Sequence, residues 1–470
     1  MRNSPDTGNA TPRSGAPQQI LGVREAVAII VGIVIGAGIF KAPSMVAGMT
    51  GSAPWMFAAW LLGGIMSLVG ALCYAELATA YTHTGGDYHF LRRAYGASIS
   101  FLFGWARFSV ITTGSIALLA FVFGDYMHQI LPLPAVGASG SQSLYAAGAV
   151  IILSWINLRG TRSGAWAQSW LTAVEVLGLL LIVAVALLVP VADHAAERQE
   201  APGAASLGMA MVFVLLTYGG WNEAAYISAE LRDGRRNMVK SLVWSIVLIT
   251  ALYLLVNWSY WEVLGIAGMA KSEAVAADVL AVALGPAGAK LISAIVAVSA
   301  LTSINATMIV GARTSYAIGR DWTILSALGT WDGRRDTPAN ALRIQCIAAL
   351  FLVAVGTWTG SGFKSMVEFT APVFWLFFLL SGISLFVLRS REPHIERPFR
   401  VPLYPLLPAL FCATCAYMLW ASLSYVYKQT LGGLNAAWIG VAVLAVGLIL
   451  LLLMRLRSDR RRETAIRSIS

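Results

Sequence analysis

The sequence predicts an all-α integral membrane protein with twelve transmembrane helices. Three observations carry that expectation. The 470-residue chain is 58% hydrophobic and 12% charged with a mean hydropathy of +0.71, outside the range of an ordinary soluble domain. Apolar runs of about 18 or more residues, each long enough for a hydrocarbon core of about 30 Å, recur along its whole length. Basic residues gather at alternate ends of those runs, the asymmetry that sets the orientation of membrane proteins.

Taken in order, residues 1–19 are rich in Pro, Ser, Gly, Asn and Thr and hold no apolar core. They read as a disordered cytoplasmic tail without a cleavable signal peptide. Spans follow near residues 24–48, 54–81, 98–131, 143–158, 164–190 and 206–231. Six more lie near 238–262, 286–318, 339–358, 363–388, 402–427 and 434–455. With the N-terminus in the cytoplasm, the cytoplasmic segments collect clusters such as Arg92 with Arg93, Arg159 with Arg162, and Arg232, Arg235, Arg236 and Lys240. The opposite loops hold only Arg198, Lys271, Lys290, Lys364 and Lys428. The net charge of +10 therefore reports orientation, placing both termini in the cytoplasm of a plasma-membrane protein with an even number of spans. It makes no case for nucleic acid, and the closing tail, 457–470, suits anionic lipid head groups.

Enzyme chemistry finds no support. His83, His89, His128, His194 and His394 fall in loops or span ends, without HExxH spacing, and neither a GxSxG elbow nor a Walker loop is present. Cys73, Cys346, Cys412 and Cys415 all lie inside expected spans, which argues against a disulfide framework or a zinc site. No metal or cofactor is expected.

The first span reads GIVIGAGIFKAP at residues 32–43. Gly32, Gly36 and Gly38, with Pro43 beyond, interrupt a helix where each unpaired backbone group costs several kcal/mol. Five spans later, VFVLLTYGGWNEAAYISAE sets Gly219 and Gly220 mid-membrane beside Tyr218, Trp221, Asn222 and Glu223. Glycines also serve close helix contact, and Gly32 with Gly36 fits such a face. Matched breaks in two halves of a chain point instead to a transporter site between inverted repeats. Half-helix N-termini offer N–H groups to a carboxylate, and unwound carbonyls receive an ammonium. A zwitterionic amino acid needs both. The backbone of Gly36, Ala37, Gly38 and Ile39 is read as the carboxylate donor set. Carbonyls of Ile35, Thr217, Tyr218 and Gly219 are read as ammonium acceptors, with Leu216 and Trp221 bordering the side-chain pocket. A packing role for the Trp221 ring stands beside that reading.

These stretches resemble a known family. GIVIGAGIF resembles the first-span signature of the amino acid–polyamine–organocation (APC) superfamily, and TYGGWNEAAYISAELRDGRRNM its sixth-span motif. YAELATAYTHTGGDYHFLRRAYG (74–96), SALTSINATMIVGARTSYAIGRD (299–321) and ERPFRVPLYPLLP (396–408) resemble further motifs in the family's order. The resemblance implies a LeuT-like fold of two inverted five-helix repeats, residues 20–200 and 201–390, with two appended spans in 391–456. It implies amino acid transport by alternating access, closest in flavour to L-type and bacterial neutral amino acid permeases. Leu216 stands where those permeases often carry an aromatic gate, a departure that leaves the side-chain preference open. Heavy-chain-linked animal members carry an external cysteine between spans three and four; residues 131–142 contain none, so no covalently linked heavy chain is expected.

Glu175 lies about eleven residues into span five, and an intramembrane carboxylate is a functional-site hypothesis by default. The resemblance places a Lys at this position in many relatives, where it stands in for a sodium ion. Two readings compete. Glu175 titrates and couples transport to protons, or holds a cation beside Ser299, Thr302 and Ser303 of span eight. Alternatively it pairs with Arg107, which enters span three to a similar depth. Blander expectations are Glu76 as a helix-end partner of Arg92, Arg93 or Arg107, Glu230 and Arg313 in interfacial ion pairs, Lys41 snorkelling outward, and Asn257 and Asn305 bonding across helices.

The function expected is secondary active transport of small, neutral amino acids, with protons as the candidate coupling ion. An obligate exchanger and a carrier of polyamines or cationic amino acids are the rivals within transport. An amino acid sensor that binds without translocating is the rival from another class, and a channel is a third.

Overall fold

A computed structural model describes residues 22–81, 86–159, 165–189, 201–222, 234–333, 335, 337–360, 362–427 and 436–467. Glu223 and Glu230 lie outside them. Among the described residues there is no strand, only an isolated bridge between Asp332 and Thr337. Helix is what an apolar solvent demands, because it satisfies each backbone group within its own segment.

The first expected span is divided. It forms α1 (Val23–Val34), a 3-10 turn (Ala37–Phe40) and α2 (Ala42–Thr50). Helices α3 (Ala53–Ala80) and α4 (Gly86–Tyr95) follow, the second of them amphipathic. Span three is α5 (Ala97–Ala106), a π-helical turn (Arg107–Thr112) and α6 (Thr113–Ile130). Then come α7 (Gly137–Leu158), α8 (Ala165–Ala186) and α9 (Ala204–Thr217). The second half continues with α10 (Gly234–Lys271), α11 (Val275–Asp321), α12 (Ala339–Trp358), α13 (Gly362–Arg391), α14 (Leu406–Tyr427) and α15 (Ala436–Arg467).

Eight helical stretches of the described chain are long and apolar enough to cross a membrane. Three shorter apolar stretches, Ala173–Ala186, Ala204–Thr217 and Ile439–Met454, fall at expected spans five, six and twelve. Helix α11 begins earlier than the expected 286, but Gly285 adopts φ +65° there and Pro286 restarts the helix. A left-handed glycine followed by proline at the first helical position is how one helix hands over to another. Side chains such as Leu61, Ile65, Ile152, Leu177, Trp244 and Phe351 point outward with a third or more of their surface exposed, as lipid-facing residues do.

The packing is built of matching pairs. Helix α3 lies on α10, α6 on α11, and α7 on α12. Helix α8 packs on α11 as α13 packs on α6, and α1 packs on α10 as α9 packs on α3. Helix α14 rests on α13, α9 and α3, and α15 on α13 and α5.

Candidate functional site

The backbone leaves the helix at both glycine-bearing stretches. Gly36 is extended (φ −146°, ψ −169°) between α1 and the 3-10 turn. At the other break, α9 ends at Thr217, and residues 218–222 form turns before the described chain stops. Gly220 has φ +109°, a conformation that a side chain would strain.

The two breaks meet. A Cβ on Gly38 would stand 3.4 Å from Thr217 Oγ1 and 3.6 Å from Thr217 Cα, and a Cβ on Gly36 would stand 3.7 Å from Ser303 Oγ of α11. Ile35, Ala37 and Ile39 are buried with Thr217 and Tyr218 around this junction, while Leu216 is half-buried. The turn Ala37–Phe40 thus starts beside the C-terminal end of α9. Such a junction offers donors and acceptors of opposite partial charge.

One phenol, missed in the sequence, ties the breaks together. The Tyr253 hydroxyl of α10 is 3.1 Å from the carbonyl of Val34 and 3.1 Å from that of Thr217. The Tyr253 ring is fully buried and packs on Tyr218 at 5.0 Å and Trp60 at 5.7 Å between centroids. Tyr218 in turn donates to the Trp60 carbonyl at 3.0 Å. A tyrosine inside the apolar run LYLLVNWSYW was the available signal, since a buried phenol needs a partner.

Trp221 turns its ring away into an aromatic cluster of Tyr74, Phe378 and Phe411, at 5.3, 5.9 and 6.3 Å. Gly70 makes room for it, because a Cβ there would lie 2.7 Å from the indole. Beside this cluster, Gly219, Trp221 and Asn222 border a cavity of about 20 Å³ between α3, α9, α13 and α14, room for about one water.

Glu175 is 4% exposed and accepts a hydrogen bond from Ser299 of α11. Thr302 donates back to the Val298 carbonyl of its own helix at 2.9 Å, and the Ser303 carbonyl accepts from Thr307 at 2.8 Å. Arg107 opens the π-helical turn, which packs on α6, α11 and α13.

Other polar side chains meet partners different from those expected. Lys41 does not snorkel: it is 5% exposed and pairs with Asp125 of α6 at 2.7 Å, since a buried acid lies within reach. Glu76 accepts from Arg389 Nε at 2.7 Å and from the Val401 amide at 2.7 Å, with Arg397 3.6 Å away. The expected partners were Arg92, Arg93 or Arg107; the returning segment after α13 brings closer ones. Asn305 accepts across helices from Asn157 at 2.7 Å, whereas Asn257 donates within its own helix to Tyr253 at 2.8 Å. No cluster of His, Cys, Asp and Glu suited to a metal occurs among the described residues.

The family model described as amino acid permease matches residues 21–450. The human b(0,+)-type amino acid transporter 1 is 30% identical over 415 residues, covering 87% of this chain and 84% of its own length. The rat large neutral amino acids transporter small subunit 2 is 28% identical over 448 residues, covering 89% of this chain and 81% of its own. The human protein of that name is 28% identical over 438 residues, with 88% and 79% covered.

Proposed function

The chain belongs to the amino acid permease family, and from that membership and the junction of its two breaks we propose that it carries small neutral amino acids across the cytoplasmic membrane by alternating access. The closeness of Gly38 to Thr217, where an added Cβ would stand 3.4 Å from the threonine side chain, is the observation that carries the reading. It supports a site in which amides of the turn and carbonyls at the end of α9 serve one substrate, and a zwitterion needs both. In this reading Gly36, Ala37, Gly38 and Ile39 hold the carboxylate, carbonyls near Ile35 and Thr217 to Gly219 hold the ammonium, and Leu216 borders the side chain. The relatives whose names specify large neutral amino acids support a neutral substrate.

The mirrored helix pairings support twelve spans in two inverted repeats followed by α14 and α15. The charge asymmetry supports cytoplasmic termini. No cysteine lies in residues 131–142, which supports a chain without a disulfide-linked heavy subunit. Glu175 is the proposed coupling group: its Ser299 partner is neutral, so the carboxyl can take and release a proton without breaking an ion pair.

Vesicles containing the purified protein, with and without internal amino acid and under an imposed pH gradient, test this. Labelled neutral amino acid accumulating under the gradient alone, and failing to do so in Glu175→Gln with binding retained, is the expected result. Uptake that needs internal substrate and ignores the gradient overturns the coupling role and leaves exchange. Saturable binding without flux overturns transport.

A further inference from the structure

Lys41 and Asp125 have no part in holding the substrate as proposed, yet they form a buried ion pair beside it. Helix α2 packs on α3, α9 and α10, whereas α6 packs on α7, α11, α12 and α13. Two adjacent polar ties join these groups. Lys41 Nζ meets Asp125 Oδ2 at 2.7 Å, and the Tyr126 hydroxyl donates to the Phe40 carbonyl at 2.6 Å. Lys41 Nζ also donates to the Glu273 carbonyl at 2.6 Å, and the Glu273 carboxylate accepts from Gln142 Nε2 at 2.6 Å. One ammonium therefore gathers the far side of the first break, α6, the link between α10 and α11, and through Glu273 the start of α7. Residues 40 and 41 are also the last residue and the C-cap of the turn assigned above to the carboxylate.

A buried pair of this kind is close to all-or-none. Either partner alone in a water-poor site carries its full desolvation penalty, so the contact holds completely or parts with water entering.

We propose that Lys41 is a positioning residue and a latch: its bonds to Asp125 and Glu273 hold the turn Ala37–Phe40 against α6 and shut the pathway on that side, and they part each time the site opens there. The proposal rests on the alternating-access reading. It fixes what the latch must act on, since the same bonds that close the path also seat the amides intended for the carboxylate.

Spin labels at Gly48 of α2 and Ser139 of α7, both exposed, read the separation across the latch in the full chain in lipid nanodiscs. Lys41→Met and Asp125→Asn are expected to raise the long-distance population at least threefold, and the exchanged pair Lys41→Asp with Asp125→Lys to restore the short one. The ratio of KM values measured from the two vesicle faces is expected to shift at least fivefold in the single variants, while maximal flux changes less. Distance distributions that coincide with the unsubstituted protein, or KM values that change equally on both faces, overturn the latch. Asp125→Asn, which keeps a hydrogen bond, carries the test where Lys41→Met fails to fold. A wild-type protein that moves no amino acid sinks the transport reading, and the distances still judge whether the contact opens.

Discussion

The Tyr253 hydroxyl stands 3.1 Å from the Thr217 carbonyl oxygen, and the same hydroxyl stands 3.1 Å from the carbonyl of Val34. A single group of one helix thus caps the ends of two others, at the level where both lose their regular hydrogen bonding. Its single proton is shared between two acceptors, so either can be released while the other is held.

Tyr253→Phe keeps the ring packing on Tyr218 and Trp60 and deletes only that bond. A buried hydrogen bond contributes about 1 kcal/mol net, which corresponds to roughly a fivefold loss of affinity. KM for a neutral amino acid is expected to rise by about that factor, with the melting temperature little changed. A KM equal to that of the wild type would show that the phenol does not set the junction.

Gly38→Val places branched carbons against Thr217, which a bare Cβ already approaches at 3.4 Å. Overpacking a fitted site costs about 1–3 kcal/mol. Substrate affinity measured by scintillation proximity is expected to fall tenfold or more, and Gly219→Leu to do the same. Unchanged affinity in both would place the substrate elsewhere.

Glu76 is 1% exposed and is held by Arg389, Arg397 and the Val401 amide. Its removal leaves buried guanidinium charge without its acid, a change that costs about 3–5 kcal/mol; Arg389 keeps 18% side-chain exposure, which places the loss toward the lower figure. Glu76→Ala is expected to lower the melting temperature by several degrees in detergent. A melting curve superimposable on the wild type would reject the anchoring role.

Glu392, just beyond α13, has a carboxyl shifted below its ordinary value of 4.5. Burial pushes it up, and the Arg93 guanidinium, hydrogen-bonded to the carboxylate at 2.9 Å, outweighs that. A depressed folded value means stability that is fully present above the unfolded value and is lost as pH falls through the folded one. Glu392→Gln is expected to melt lower than wild type at about pH 7, with the gap narrowing towards about pH 4. A gap that is constant with pH would contradict the assignment.

Much of this was legible in the residues themselves. Helices had to follow from the apolar runs, and Gly36, Gly38 and Gly219 marked both breaks because glycine and proline are the residues that interrupt a helix in hydrocarbon. Glu175 could be placed at depth by counting rise, and Ser299 was named beside it. The partners of Lys41 and Glu76 were not legible. These helices are apolar almost all round, so their periodicity does not say which side faces inward, and contacts spanning 313 positions, as between Glu76 and Arg389, depend on that rotation. Tyr253 escaped for the same reason. Trp221 adjoins a break in sequence, yet Gly70, in another helix, decides where its ring goes.

The bridge from Tyr253 to Val34 spans 219 positions, and that sets an order of events during biogenesis. At roughly 5–20 residues per second, the first helix leaves the ribosome at least ten seconds before the phenol that completes it. In that interval its frayed carbonyl end must be sheltered by the insertion machinery or by lipid head groups. An arrested nascent chain ending before Tyr253 should therefore crosslink through its opening helix to the insertion machinery or to lipid, and the finished protein should not.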